Sequence, residues 1–229
     1  MIITKDDFLT DNLIKDCFNL SIEYDDLDLI IEDQEDGLYC CKTSIPEDIA
    51  MLDYAGFDLI TTNLNYRFGG DRKELRSLFF CREYDINFND YMIDIMAIAK
   101  DSFKHDRFHR DRRIPNYLAD LVKAMWVLNY MTNRRGDSLL LSFRDGKPVG
   151  FLGAMVNGSI AYIDLIAVDK EYRCKGIGRE LVESFLFKYR DYDNLMVSTQ
   201  DNNVESRELY KSVGFKLDNT NYTFHLHKE

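Results

Sequence analysis

Tyr172-Arg173-Cys174-Lys175-Gly176-Ile177-Gly178-Arg179-Glu180-Leu181 sets two glycines among three basic residues. The stretch follows an aliphatic run at 160–168 and precedes helical periodicity at 180–189. Strand, then Arg-x-x-Gly-x-Gly, then helix is a mechanical arrangement for gripping a pyrophosphate. Glycine lets the backbone pass close to an anion, successive N–H groups point outward, and a helix beginning near Gly178 adds the positive end of its dipole. Arg173, Lys175 and Arg179 place full charges around that cradle. An ordinary glycine-containing loop ahead of a helix is the plainer reading, so the surrounding sequence has to separate the two.

Upstream, residues 139–143, 148–156 and 160–168 are apolar runs divided by Asp145-Gly146 and Asn157-Gly158. Those dipeptides are strong hairpin signals, so the runs read as an antiparallel meander. A dinucleotide loop of the Rossmann kind is rejected, because it needs a third glycine, a parallel βαβ opening and an acid about 20 residues on. Downstream, 194–199 reads as a strand, 204–213 as a helix ended by Gly214, and 221–227 as a last strand.

The earlier half is acidic and carries apolar runs such as Leu27-Asp28-Leu29-Ile30-Ile31. Residues 46–57 predict a short helix with proline in its first turn and glycine at its end, followed by a strand at 58–67. After Gly69-Gly70, a strand is expected near 78–82 and a helix over 90–103, where Met92, Ile95, Met96 and Ala99 recur at helical spacing. A second helix is expected over 115–131, its stripe of Leu118, Leu121, Val122, Met125 and Leu128 facing the core. Trp126 reads equally as core or as site lining. The fold class is α+β, a mixed and mostly antiparallel sheet flanked by helices.

The 229 residues are enough for a real core, and the net charge of -11 argues against bulk binding to nucleic acid or anionic lipid. Any anion must be gripped locally. Besides the opening stretch, a basic run at 104–113 contains Arg107, Arg110, Arg112 and Arg113. No run approaches 18 apolar residues, the first residues are charged too early for a secretory signal, and five cysteines form no C-x-x-C pair. A cytoplasmic protein without a disulfide framework is expected. His105 and His109 lack a specified acidic third ligand, so no metal is expected.

Three stretches together resemble the GNAT family of acetyl-CoA-dependent N-acetyltransferases: 163–168 leading into Arg173-Cys174-Lys175-Gly176-Ile177-Gly178, then 203–210, then Lys211-Ser212-Val213-Gly214-Phe215. The resemblance implies a GNAT fold and coenzyme A as cofactor. It implies that Ile166, Ala167 and Val168 bond the pantetheine arm and that Arg173, Cys174, Lys175, Gly176, Ile177, Gly178 and Arg179 hold the pyrophosphate. Asn203 and Ser206 then touch the cofactor, and Tyr210 protonates the leaving thiolate. A phenol titrating near 10 is still protonated where a thiol of about 8.5 has ionised, which suits that role; packing within its helix is the alternative. Asp164 alternates with Tyr162 and Ile166, so all three are expected to face the acyl site, with Asp164 a candidate base; a structural aspartate, or a water chain in place of a base, stays open.

Residues 53–60, 99–108 and 120–129 further resemble the TDP-fucosamine acetyltransferases of the WecD type. That likeness implies a smaller N-terminal α/β subdomain over 1–76 ahead of an acetyltransferase domain over 77–229. It also implies a nucleotide-linked amino sugar as small-molecule substrate, Arg107, Phe108, Arg110 and Trp126 at the substrate, and a homodimer that composition does not decide. A solvated turn before Pro115 is the alternative for the arginines. A sugar amine flanked by electron-withdrawing oxygens is less basic than lysine, which helps an enzyme without an evident base. Acetylation of a protein N-terminus or another small amine, and a noncatalytic acyl-CoA-binding module, remain the competing functions.

Overall fold

The computed structural model describes residues 2–22, 35–75, 81–86 and 91–229. Its described strands form one ten-stranded sheet in the order β1-β2-β3-β10-β4-β9-β8-β7-β6-β5. The strands before the middle of the chain are β1 (Ile2–Lys5), β2 (Cys17–Ser21), β3 (Gly37–Thr43), β4 (Asp58–Phe68) and β5 (Cys81–Glu83). The remaining five are β6 (Ser138–Arg144), β7 (Lys147–Asn157), β8 (Ile160–Val168), β9 (Asn194–Gln200) and β10 (Phe215–Lys228). Only β2/β3 and β8/β9 pair in parallel; the other neighbours are antiparallel.

The hairpin signals act as the sequence requires. Asp145 and Gly146 both take positive φ, as does Gly158, so the chain reverses tightly and β6, β7 and β8 form the expected meander. The helix α2 (Pro46–Tyr54) has proline in its first turn, and Gly56 with φ +81 follows its end. Gly214, with φ +107, both stops α7 (Val204–Val213) and turns the chain straight into β10. The last strand therefore begins at Phe215, ahead of the expected residue 221.

Alternation along the strands divides the core into two faces. Leu140, Leu152, Ile163 and Val197 pack with α6 (Ile177–Lys188) and α7. Leu139, Leu141, Phe151 and Leu165 pack with α3 (Met92–Ser102) and α5 (Asn116–Met131) on the opposite face. On that same second face, α1 (Asp7–Leu13), α4 (Arg107–Arg110) and α5 cover Leu38 and Cys40, while α2 covers Tyr39, Cys41 and Phe224 on the first.

The run at 27–31 lies outside the described residues, as do most of the expected strand at 78–82 and the first residue of the expected helix at 90–103; β5 and α3 account for their described parts. The expected division at 76/77 also falls on undescribed residues. β10 lies between β3 and β4, so strands from both sides of that division share one sheet.

Candidate active site

β8 and β9 pair only over Ile160 to Ile163, opposite Asn194 to Val197, although β8 runs on to Val168 and β9 to Gln200. Beyond that point the parallel strands splay. The edge of β8 from Asp164 to Val168 therefore has no strand partner on the β9 side, and it offers backbone donors and acceptors to an extended ligand. At the end of β8, Cys174 (φ +58) and Gly176 (φ +83) turn the chain into α6. Gly176 caps α6 without any side chain, leaving the first-turn N–H groups of Ile177, Gly178 and Arg179 outside the helix ladder.

Two glycines let these parts approach. A Cβ on Gly150 would lie 3.0 Å from the Ala167 carbonyl oxygen and 3.2 Å from the side chains of Ile177 and Leu181. A Cβ on Gly178 would lie 3.1 Å from Leu209 of α7. Around the turn, Arg173 donates to the Val168 carbonyl at 3.1 Å and to Ser102 at 3.3 Å, and Arg179 donates to the Ser212 hydroxyl at 2.9 Å. Lys175 lies over the Tyr172 ring. Open first-turn amides, a left-handed glycine and three cations fit a pyrophosphate, and the free β8 edge beside them fits an extended amide-bearing arm.

Asn203 caps α7, its side-chain oxygen accepting from Ser206 N at 3.2 Å. One turn later Tyr210 is buried, tilted against Tyr66 and Phe215. Burial raises its phenol above the ordinary range, only partly offset by a hydrogen bond with the Ser206 side chain, so it stays protonated.

Asp164 does not share a face with Ile166 as alternation predicts. Gly153 opposes Leu165 while Ala154 opposes Ile163, so Asp164 is the extra residue of a β-bulge. The bulge sends Ile166 and Val168 toward α6 and α7, and Leu165 and Ala167 toward α3 and α5. Asp164 itself meets α5 and the turn after it: Oδ2 accepts from Tyr130 at 2.8 Å and from Arg135 Nε at 2.8 Å, while Oδ1 accepts from Arg135 Nη2 at 2.9 Å. A carboxylate has about four lone-pair sites, so Oδ1 keeps one acceptor position for a ligand.

The second basic cluster separates into different fates. Phe108 is fully buried core, and Arg110 and Arg113 dock on the β4 end, at the Ile60 carbonyl and at Asp58. His109 is wedged between Asp106 at 2.6 Å and Asp120 at 3.0 Å. Arg107 alone of the run's arginines turns inward, over Phe108 and toward β3, where its charge acts on Lys42. Trp126 is half-buried between two core clusters, with Lys123 at 4.5 Å and Arg135 at 4.7 Å from its ring. Its indole N–H is buried without a partner.

Between Asp164 and Arg107 the sheet face is polar. Thr61, Asn63, Asn221 and Thr223 occupy cross-strand positions there, Asn63 donating to Asn221 at 2.9 Å and to Thr223 at 2.8 Å, with Gln200 donating to Asn63 at 3.4 Å. Thr223 is 1% exposed and Asn63 8%, so this network forms an ordered floor. Sequence reasoning passed over these residues. The alternation Asn63-Leu64-Asn65-Tyr66 and Asn219-Thr220-Asn221-Tyr222-Thr223 is the signal that marks one polar face.

A further cluster, also missed, ties the C-terminal strand to α4. The Asp111 carboxylate accepts from His225 Nδ1 and His227 Nε2, both at 2.7 Å, and from Arg113 N at 2.9 Å. These two hydrogen bonds engage the imidazole nitrogens that approach one another here; all three side chains offer ligand atoms within 4.8 Å.

Residues 94–215 match the model of the acetyltransferase (GNAT) family. The spore coat polysaccharide biosynthesis protein SpsD of Bacillus subtilis is 23% identical over 134 residues, covering 58% of this chain and 46% of that protein. N-alpha-acetyltransferase 30 of Xenopus laevis is 34% identical over 67 residues, 28% of this chain and 24% of that protein. The chain thus spans less than half the length of these curated relatives. A functionally unknown conserved protein from Staphylococcus epidermidis superposes with a TM-score of 0.64 at 14% identity, covering 93% of this chain and 85% of that one. An acetyltransferase of the GNAT family from Novosphingobium aromaticivorans superposes with a TM-score of 0.57 at 12% identity over 86% and 77% of the two chains. At such identity these likenesses speak for the fold, while the family match covers over half the sequence and includes the glycine turn, the bulged strand and the capped helix. The chain belongs to the GNAT family of acetyltransferases.

Proposed function

We propose that this protein is an acetyl-CoA-dependent N-acetyltransferase acting in the cytoplasm on the amine of a nucleotide-linked amino sugar. The observation that carries the reading is a polar row on one sheet face. It runs from the splayed end of β8, across the amides and hydroxyls of β4 and β10, to cations on β3 and α4. Side chains of that kind recognise a polyhydroxylated and negatively charged acceptor. The likeness to SpsD, named for polysaccharide biosynthesis, points the same way.

The coenzyme supplies the acetyl group as a thioester. The N–H groups at Gly176 to Arg179, with Arg173, Lys175 and Arg179, hold its pyrophosphate, and the free edge of β8 from Ile166 to Val168 aligns its arm. Oδ1 of Asp164 accepts a hydrogen bond from the acceptor nitrogen and orients it, the carboxylate itself being fixed by Arg135 and Tyr130. As the amine nitrogen bonds the carbonyl carbon and the C–S bond breaks, Tyr210 donates its phenolic proton to the departing sulfur, and the proton that the nitrogen sheds passes to solvent, from which the phenol is restored. Removing that donor slows transfer by about 100-fold or more.

The test is thiol release from acetyl-CoA with TDP- and UDP-linked amino sugars and with short peptides. Turnover on an amino sugar nucleotide supports the reading. Turnover on peptides alone replaces it with acetylation of N-terminal amines, the activity named in the N-alpha-acetyltransferase 30 relatives. Tight coenzyme binding without turnover of any acceptor leaves a binding module.

A further inference from the structure

Lys42 stands on β3 opposite Thr223, which in turn stands opposite Thr61 on β4. Further along β4, Asn63 faces Gln200, the last residue of β9. The row that carries Lys42 therefore lies just past the end of β9, at the mouth of the splay. Lys42 is exposed, while desolvation by its neighbours, with Arg107 and Lys123 adding repulsion, holds its ammonium down to about 8.

Four cations lie in this region, and they are not equally neutralised. Lys123 is buried, 4.0 Å from Asp106 and shared among the rings of Phe103, Phe108 and Trp126. Arg135 is taken by Asp164. Among the described residues neither Lys42 nor Arg107 has a carboxylate within ion-pair distance; Arg107 has only the Phe108 ring, its centroid 4.7 Å away. In a chain of net charge -11, acids to neutralise two such cations are plentiful, and among the described residues none is placed within ion-pair distance of either. Unpaired cations sharing a partly desolvated recess are costly without an anion between them.

We propose that Lys42 and Arg107, backed by Lys123, form the subsite that takes the diphosphate of the acceptor. The inference rests on the nucleotide-sugar reading and sharpens it. The fork of Arg107 takes two oxygens, Lys42 supplies a point charge from the facing strand, and the Thr61-Asn63-Asn221-Thr223 floor lies between them and the transfer site. The diphosphate is then bound away from the glycine turn, so acceptor and coenzyme do not compete for one anion site. Arg110 and Phe108 serve this subsite only by fixing α4.

The experiment is calorimetric titration with TDP, UDP and inorganic pyrophosphate of protein saturated with coenzyme A, which keeps the probes out of the glycine turn. Lys42→Met and Arg107→Met are compared with wild type, with Lys42→Arg, and with Arg190→Gln, a surface change far from the proposed subsite. The expected result is a loss of affinity of tenfold or more in each Met variant, retention in Lys42→Arg, and no change in Arg190→Gln. Protection of Lys42 from acylation by acetic anhydride when TDP is present, read by peptide mass, gives the same answer without a variant. Binding of TDP that is indifferent to both Met changes, with Lys42 unprotected, overturns the subsite and leaves the nucleotide-sugar reading intact. No binding by any probe, with turnover of a free amine or a peptide, overturns that reading and the subsite with it.

Discussion

Asp111 gathers two imidazoles on one carboxylate, and its environment decides its charge. Burial alone would raise its carboxyl, but the hydrogen bonds from His225 and His227 hold it well below its ordinary value of 3.8. Burial likewise disfavours a charged His225, yet Asp111 raises it above its ordinary 6.5, with the Cys40 sulfur beside its other nitrogen too loosely placed for a well-formed hydrogen bond. The signs then follow. The stability from Asp111 is present above its unfolded value and is lost as pH falls through the depressed folded one. The part from His225 is complete below its unfolded value and is lost as pH rises through the raised folded one. Asp111→Asn should cost about 3 kcal/mol between pH 4 and 6.5, with the gap to wild type narrowing at higher pH, as read by urea unfolding. A gap that stays constant from pH 5 to 9 would show that His225 does not carry the charge. Asp164→Asn tests the transfer site at the same scale. It removes the carboxylate charge that balances Arg135, so thermal stability should drop along with turnover; undiminished turnover would show that the nitrogen is oriented by something else.

At the scale of elements, the meeting of β8, α6 and α7 depends on missing side chains. Gly178→Val should push α6 off Leu209, costing about 1–3 kcal/mol of stability and at least tenfold in acetyl-CoA affinity, measured by thermal melting and calorimetry. Gly176→Ala meets no atom within 4 Å, so its penalty is only the left-handed backbone, about 1 kcal/mol, and α6 should keep its place. Equal losses in the two variants would contradict the packing account. This part of the molecule was legible in the sequence because each of its signals is local: Asp145-Gly146 and Asn157-Gly158 turn, Gly214 ends a helix, and Gly176 starts one. The β-bulge at Asp164 was not legible. A period of two assumes unbroken pairing, and one inserted residue moved Ile166 to the other core.

For the whole molecule, the decisive fact is that β10 draws its neighbours β3 and β4 from the first third of the chain. A fragment of residues 77–229 would expose both edges of its longest strand. It should fail to give a soluble, cooperatively melting product, whereas a stable fragment that binds coenzyme A would show that the two portions fold independently. The proposed acceptor site has the same long-range character. Lys42, Asn63, Arg107, Asp164 and Thr223 come from five elements, and no local spacing links them. Likeness to a sugar acetyltransferase drew notice to Arg107 and Trp126, whose part at the acceptor is a proposal, and it also took in Phe108, which is core, and Arg110, which is a clamp on β4.

Central to the account is that Tyr210, protonated in its buried position, delivers the proton that frees the thiol. Thiol release from acetyl-CoA by wild type and Tyr210→Phe, at saturating acceptor from pH 6 to 9, tests this most directly. The account predicts kcat lower by about 100-fold or more in the variant, with KM for acetyl-CoA little changed. A variant that turns over within about twofold of wild type across that range would contradict it.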